Sequence, residues 1–177
     1  EVKLAVDAGA EGIGLYRTEF IYTIHDNPDE VCHLREYREA LQWLEGRPLT
    51  IRTLDFGADK FFEETDSQFE KNPFLGCRSI RLCFERLDIF RTQLRAIYRA
   101  SAEGDVRLLL PMISNLGEVQ RAKVILEEVR EELSGEGIPF NENTPIGVMI
   151  EIPSAALITD ILAHQVEWLK EAGVTDV

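Results

Sequence analysis

Apolar positions along this chain alternate between helical and strand spacing, and the alternation predicts helices and strands in turn. Leu4, Ala5 and Ala8 suit the end of a helix stopped by Gly9, and residues 12–19 follow as a strand. Leu34, Tyr37, Leu41 and Leu44 fall at helical spacing within residues 31–44, and residues 48–55 predict a second strand. The polar stretch 63–72 reads as a loop. Pro73 opens a short helical segment, and residues 88–102 continue as a longer helix with Asp88 as N-cap. Residues 106–113 form a third strand, nearly all apolar. Ser114 or Asn115 caps the next helix, which has Glu118 in its first turn and Val119, Ala122, Ile125, Leu126 and Val129 on one face. Gly135 and Gly137 end it. Residues 146–152 give a fourth strand, Pro153 starts a helix running to about Gln165, and residues 173–177 fit the start of a fifth strand.

Strands separated by helical crossovers imply a parallel sheet with helices packed outside it. An open doubly wound sheet and a (β/α)8 barrel both produce this pattern, and a whole barrel needs about 250 residues. The pattern by itself therefore stops at a parallel α/β fold.

Composition narrows the partners. The chain has 177 residues, 45% of them hydrophobic, which suffices for one globular core. A net charge of −13 repels nucleic acid and anionic membrane surfaces, so neither is expected as a partner. The apolar runs, such as residues 146–150, fall far short of the roughly 20 residues of a membrane helix. The start, Glu1-Val2-Lys3-Leu4, lacks the build of a signal peptide and an initiator methionine, and lies inside a predicted helix. The chain is therefore expected to have been cut from a longer one. Cys32, Cys77 and Cys83 form an odd set without a C-x-x-C pair, the usage of reduced thiols in a cytosolic protein. His25, His33 and His164 have no metal-ligand spacing.

The candidate chemistry lies at the C-terminal ends of the strands, where parallel α/β folds bind ligands. The first predicted strand ends in Arg17-Thr18-Glu19. The second carries Arg52 and ends at Asp55, followed by Gly57, Asp59 and Lys60, and the fourth ends at Glu151. Arg78 and Arg81 follow the turn that starts at Asn72. Arginines gathered on one rim, against a strongly acidic background, point to an anionic ligand, because the planar guanidinium fork matches phosphate or carboxylate. Glu151 offers the hard oxygen that Mg²⁺ takes. Together these are the parts of phosphoryl transfer, where charge on the transferred group must be neutralised. Taken singly, each has a plainer reading. A lone Arg is a solvated or salt-bridged side chain, Glu151 pairs with an arginine, Asp59 and Lys60 form a surface ion pair worth less than about 1 kcal/mol, and Asn72-Pro73 is a turn.

Longer stretches of sequence weigh against the plainer readings. Gly12-Ile-Gly-Leu-Tyr-Arg-Thr-Glu-Phe20 resembles the GxGLxRTEF signature of phosphoenolpyruvate-utilising enzymes. Arg52-Thr-Leu-Asp-Phe-Gly-Ala-Asp-Lys60 and Asn72-Pro-Phe-Leu-Gly-Cys-Arg-Ser-Ile-Arg81 resemble the RTxDxGxDK and NPFLGxRxIR segments of the Enzyme I family of phosphoenolpyruvate–protein phosphotransferases. Leu110-Pro-Met-Ile113 and Gly147-Val-Met-Ile-Glu-Ile-Pro153 match its later strands in order. The resemblance implies a partial (β/α)8 TIM barrel over residues 1–166, followed by a divergent tail at 167–177.

It also implies a site. Arg17, Arg52 and Arg78 would bind phosphoenolpyruvate, with Arg17 and Arg52 on the phosphate. Asp55 would orient Arg52, Lys60 would add positive charge, and Glu151 would be one of two carboxylates on Mg²⁺. No catalytic residue is expected within this chain. The family's phosphoaccepting histidine sits in a separate N-terminal domain, through which the phosphoryl group reaches the histidine-containing phosphocarrier protein HPr in sugar uptake. The family's catalytic cysteine lies beyond residue 177, so none of the three cysteines here inherits its role. The resemblance further implies a cytoplasmic enzyme that is a homodimer at full length. A phosphoenolpyruvate synthase, a pyruvate phosphate dikinase and a non-catalytic barrel remnant are the competing readings. A half barrel would leave open strand edges, and the 177 residues alone are expected to release no pyruvate when incubated with phosphoenolpyruvate, Mg²⁺ and HPr. Detectable pyruvate would contradict that expectation.

Overall fold

A computed structural model describes residues 1–25, 27–57 and 76–170, with 166–170 described by their backbone alone. Four strands, β1 (Ile13–Tyr16), β2 (Leu49–Arg52), β3 (Val106–Leu110) and β4 (Ile146–Val148), form one sheet. All pairings are parallel and the spatial order is β1-β2-β3-β4. A doubly wound sheet reverses direction at a switch point, where its crossovers change faces. The order here runs one way, as successive right-handed crossovers on one side of the sheet give. The described residues therefore form an arc of a (β/α) barrel.

The helices are α1 (Val2–Asp7), α2 (Glu19–Ile24), α3 (Glu30–Leu44), α4 (Ile80–Glu85), α5 (Leu87–Ser101), α6 (Leu116–Gly135), α7 (Pro153–Leu157) and α8 (Thr159–Lys170). Local chemistry explains the ends of α3 and α6. Asp29 caps α3 by accepting from Cys32 N at 2.7 Å, and Glu45 closes it in the left-handed region with φ 51°. Asn115 caps α6, accepting from Glu118 N at 3.1 Å, while Glu118 Oε2 accepts from Ser114 N at 2.6 Å. This reciprocal arrangement is worth about 1 kcal/mol at the cap and assigns the cap to Asn115 rather than Ser114.

Helices α3, α5 and α6 lie side by side on the outer face of the sheet. Leu34, Tyr37 and Leu44 from α3 and Phe90, Leu94 and Ile97 from α5 are buried with Leu49, Ile51 and Leu108 of the strands. Away from the core, an ion-pair ladder joins the helices. Arg95 of α5 reaches Glu30 of α3 at 2.7 Å and Glu136 at 2.6 Å, Arg91 reaches Glu128 at 2.6 Å and pairs with Glu132, and Arg99 reaches Glu30 at 2.5 Å. Much of the arginine content thus bridges helices. Gly12 has a steric reason to lack a side chain, since a Cβ there would stand 2.7 Å from Pro48 Cγ and 2.8 Å from Pro48 O. That close approach seats Ile13 N on Pro48 O at 2.8 Å and sets the register of β1 against β2.

Several sequence expectations need correction. The strands are shorter than their apolar runs. β1 stops at Tyr16 because Thr18 turns to helical φ and ψ (−102°, −3°), so Glu19 begins α2, a helix the pattern did not predict. β2 stops at Arg52, and Asp55 lies in the loop beyond it. Asp88 is not the N-cap of α5. Arg86 holds that position, and its guanidinium grips the Asp88 carboxylate at 2.8 and 3.0 Å and lowers its pKa. The helix expected from Pro153 breaks at Ile158, whose N–H bonds back only three residues to Ala155 O, while the Thr159 hydroxyl takes the same carbonyl at 3.0 Å. The loop at 63–72, the helical start at Pro73, the turn at Asn72 and the strand at 173–177 lie outside the described residues. No described helix is long and apolar enough to cross a membrane.

His33 is fully buried, and its Nδ1 lies 3.2 Å from the Tyr37 hydroxyl. Burial pushes its pKa down to about 4, with His25 adding to the shift and Asp29 opposing it. The folded state therefore resists a proton that the unfolded chain accepts at about 6.5. Stability is full above about pH 6.5 and falls as pH drops towards 4, by about 3 kcal/mol from this group. Urea midpoints measured between pH 4 and 7 should show this decline, and His33→Gln should flatten it. An unchanged slope in the variant would contradict the assignment.

Candidate active site

Parallel strands bring their C-terminal ends to one rim, and the register sets who meets whom there. Tyr16 of β1 faces Ile51, Arg52 faces Leu109, and Leu110 faces Val148. Arg17, Arg52 and Glu151 therefore emerge from the same end of the sheet.

Arg52 is the most enclosed of the site arginines, at 8% exposure. Its Nη2 donates to Glu19 Oε1 at 2.9 Å and its Nη1 pairs with Asp55 Oδ2 at 2.9 Å. Glu19 Oε1 also accepts from Asp55 N at 3.2 Å, so one carboxylate oxygen ties the ends of β1 and β2 together. Asp55 Oδ1 lies 3.5 Å from Arg78 Nη2 and accepts from the Ser79 hydroxyl. Arg52, Asp55 and Arg78 thus form one connected array with Glu19 and Ser79. The chain returns to this array through Ser79 N, which donates to Phe56 O at 2.8 Å beside an antiparallel bridge between Gly57 and Arg78.

Two arginines at this end of the sheet keep unused donors. Arg52 Nε is buried and has no hydrogen-bond partner among the described residues. A buried charged donor without a partner is costly, and a bound ligand is one way to satisfy it. Arg17 is exposed and has no hydrogen-bond or ion-pair partner among the described residues. Arg17, Glu19 and Arg52 line the same cavity of about 1050 Å³ alongside β1.

The remaining candidates stand apart. Glu151 is exposed, and its Oε1 accepts from Met112 N at 2.7 Å. Met112 itself has φ +56°, a left-handed conformation that is uncommon for a side chain of this size. No hydrogen bond or ion pair joins Glu151 to the arginines, and no group of three potential metal-ligating side chains occurs, among the described residues. Arg81 points its chemistry elsewhere, with Nε 3.2 Å from Glu118 Oε1. Lys60 lies outside the described residues. No disulfide forms among the described residues, and burial raises the pKa of both Cys83 and Cys32, so neither is activated.

Glu19 and Ser79 belong to this array although sequence reasoning did not select them. Glu19 was visible beside Arg17, but its partner 33 positions away was not. Ser79 gave no signal. Its importance comes from a fully buried hydroxyl and an unusual backbone, φ 51° and ψ −126°, that follows Arg78 directly.

The described residues are an arc of a (β/α) barrel with arginines and carboxylates interlocked at one end of its sheet, and comparison with known proteins identifies the family. Residues 1–172 match the model of the PEP-utilising enzyme, PEP-binding domain family. The chain belongs to that family. Its relatives include the phosphoenolpyruvate-protein phosphotransferases of Priestia megaterium and Geobacillus stearothermophilus, each 45% identical over 178 aligned positions that take in the whole of this chain. The enzyme of the same name from Staphylococcus carnosus is 44% identical over 97% of the chain. These names agree with the Enzyme I resemblance and favour it over the synthase and dikinase readings. The chain spans 30–31% of the length of these relatives.

Ser79→Ala removes the hydroxyl from Asp55 while keeping the positive φ. It should destabilise the protein by about 1–2 kcal/mol in urea unfolding. Ser79→Gly loses the same bond but relaxes the backbone, so it should cost less. Equal losses in the two variants would show that the backbone conformation carries no strain.

Proposed function

We propose that this chain is the phosphoenolpyruvate-binding part of a phosphoenolpyruvate–protein phosphotransferase. The observation that carries the reading is the contrast between two arginines at one end of the sheet. Arg52 is held from two sides by Glu19 and Asp55 and keeps a buried Nε–H to offer, while Arg17 is free of protein partners among the described residues. A fixed guanidinium beside a free one suits a phosphate that must be gripped, transferred and released.

In this reading Arg17 and Arg52 hold the phosphoryl group, and Arg78, steadied by Asp55, binds the same substrate from the neighbouring loop. Their permanent charges neutralise the equatorial oxygens as the phosphoryl group leaves. Lys60 adds positive charge to the same region. Glu151 fits a magnesium ion as one of its two carboxylate ligands. One oxygen is anchored by Met112 N–H and the exposed side chain leaves the other for the ion, which takes few protein carboxylates and otherwise water and substrate oxygens. When bound, the ion would supply charge stabilisation for the phosphate and for the departing enolate. The phosphoryl group would pass to a histidine on a separate domain and then to HPr, feeding sugar uptake. Residues 1–166 would be the barrel portion of a cytoplasmic enzyme that is a homodimer at full length.

Arg17 gives the cleanest test, because removing it breaks no ion pair within the described residues. In the full-length protein that carries this chain, Arg17→Gln should leave the thermal unfolding midpoint unchanged. It should lower kcat/KM for phosphoenolpyruvate, read as pyruvate release with Mg²⁺ and HPr, by roughly 100-fold or more. Undiminished turnover would overturn the reading.

A further inference from the structure

Helix α5 carries one buried polar side chain that the site as described does not use. Gln93 is fully buried beside Phe90, Leu94 and Ile97 on the face that meets the sheet. Its Oε1 accepts from Leu54 N at 2.9 Å, and that backbone donor fixes which end of the amide is oxygen. Its Nε2 donates to Thr18 Oγ1 at 3.0 Å and to the Tyr37 hydroxyl at 3.4 Å. Thr18 is also fully buried, and its hydroxyl donates onward to Arg52 O at 3.1 Å.

The partners of this amide are selective. Thr18 lies between Arg17 and Glu19, and Leu54 directly precedes Asp55. The Thr18 hydroxyl then reaches the backbone of Arg52 itself. Glu19 joins the same two strand ends through side-chain and backbone donors, Arg52 Nη2 and Asp55 N. The ends of β1 and β2 are thus tied twice, by a carboxylate on the rim and by a neutral amide within the core. The neutral tie is the more rigid of the two. Glu19 is partly open to water, whereas Gln93 and Thr18 are sealed from it, and a buried hydrogen bond has no solvent to exchange with.

We infer that Gln93, acting through Thr18, is a positioning residue that fixes the separation of Arg17 and Arg52 and so the fit of the phosphate between them. The inference rests on the proposed function. Misplacing a substrate-gripping group by about 1 Å costs up to about 100-fold in rate, so loss of the tie should appear in catalysis as well as in stability.

The test uses the full-length protein that carries this chain, assayed for pyruvate release from phosphoenolpyruvate with Mg²⁺ and HPr. Gln93→Met keeps the volume and removes the amide. Thr18→Val keeps the shape and removes the hydroxyl, whereas Thr18→Ser restores it. Ile97→Ala loosens the same helix without touching the tie and serves as the stability control. The expected result is a kcat/KM about 10- to 100-fold lower for Gln93→Met and Thr18→Val at a temperature where both are folded. Thr18→Ser and Ile97→Ala should stay within about threefold of the parent protein. Should Gln93→Met fail to fold, the Thr18→Val and Thr18→Ser pair decides. If Thr18→Val keeps kcat/KM within that range while Arg17→Gln abolishes turnover, the positioning role is wrong and the functional reading survives. If the parent protein does not turn over phosphoenolpyruvate, both fall.

Discussion

A guanidinium buried at the end of a β-strand loses several kcal/mol of hydration, and only carboxylates held in good geometry return it. Arg52 is in that position, and much of the rim follows from meeting its demand. Glu19 must turn back across β1, which ends the strand at Tyr16 and starts α2. Asp55 must leave the line of β2 to reach the other side of the same guanidinium. Asp55 in turn draws in Arg78 and the Ser79 hydroxyl from a segment more than twenty residues further on. The positive φ of Ser79 is sustained because this network over-determines it.

The sheet makes such a rim possible at small cost. In a parallel arc every strand delivers its C-terminal end to the same side, so residues distant in the chain become neighbours without long loops. The outer helices supply the burial that keeps the arc together, and their half-buried arginines are consumed by glutamates of adjacent helices. That division leaves few cations with unused donors. Arg17, at the edge of a large cavity, is one of them, in a protein whose overall charge would otherwise discourage an anionic ligand.

Buried polar groups of α3 and α5 extend the same logic inward. The Tyr37 hydroxyl accepts from Gln93, which leaves its own proton for His33 Nδ1, so a continuous run of hydrogen bonds links the helix layer to the strand ends. Thr18 and Leu54 are where this run meets the strand ends. Neutral groups thus hold the strand ends together from within, while charge is handled at the surface of the site.

Helical spacing determined α3, α5 and α6 nearly to their ends, because one face of each helix is apolar and the Asn115 cap is local. The parallel α/β class followed from the alternation of elements, and the motif words carried the family. What the sequence left open was whether the sheet curls one way or reverses, since crossovers of either kind have the same local pattern. The strand order decided that. The short strands, the helix at Glu19 and the break at Ile158 also escaped the pattern, because each is set by a partner distant in sequence or by a hydroxyl competing for a carbonyl. Arg17, Arg52, Arg78 and Glu151 could be nominated from residue type and position. That Arg52 is gripped from two sides, that Arg17 is free among the described residues, and that Ser79 and Gln93 belong to the same assembly depended on packing, since hydrogen bonds spanning dozens of residues exist only once the sheet has brought their ends together.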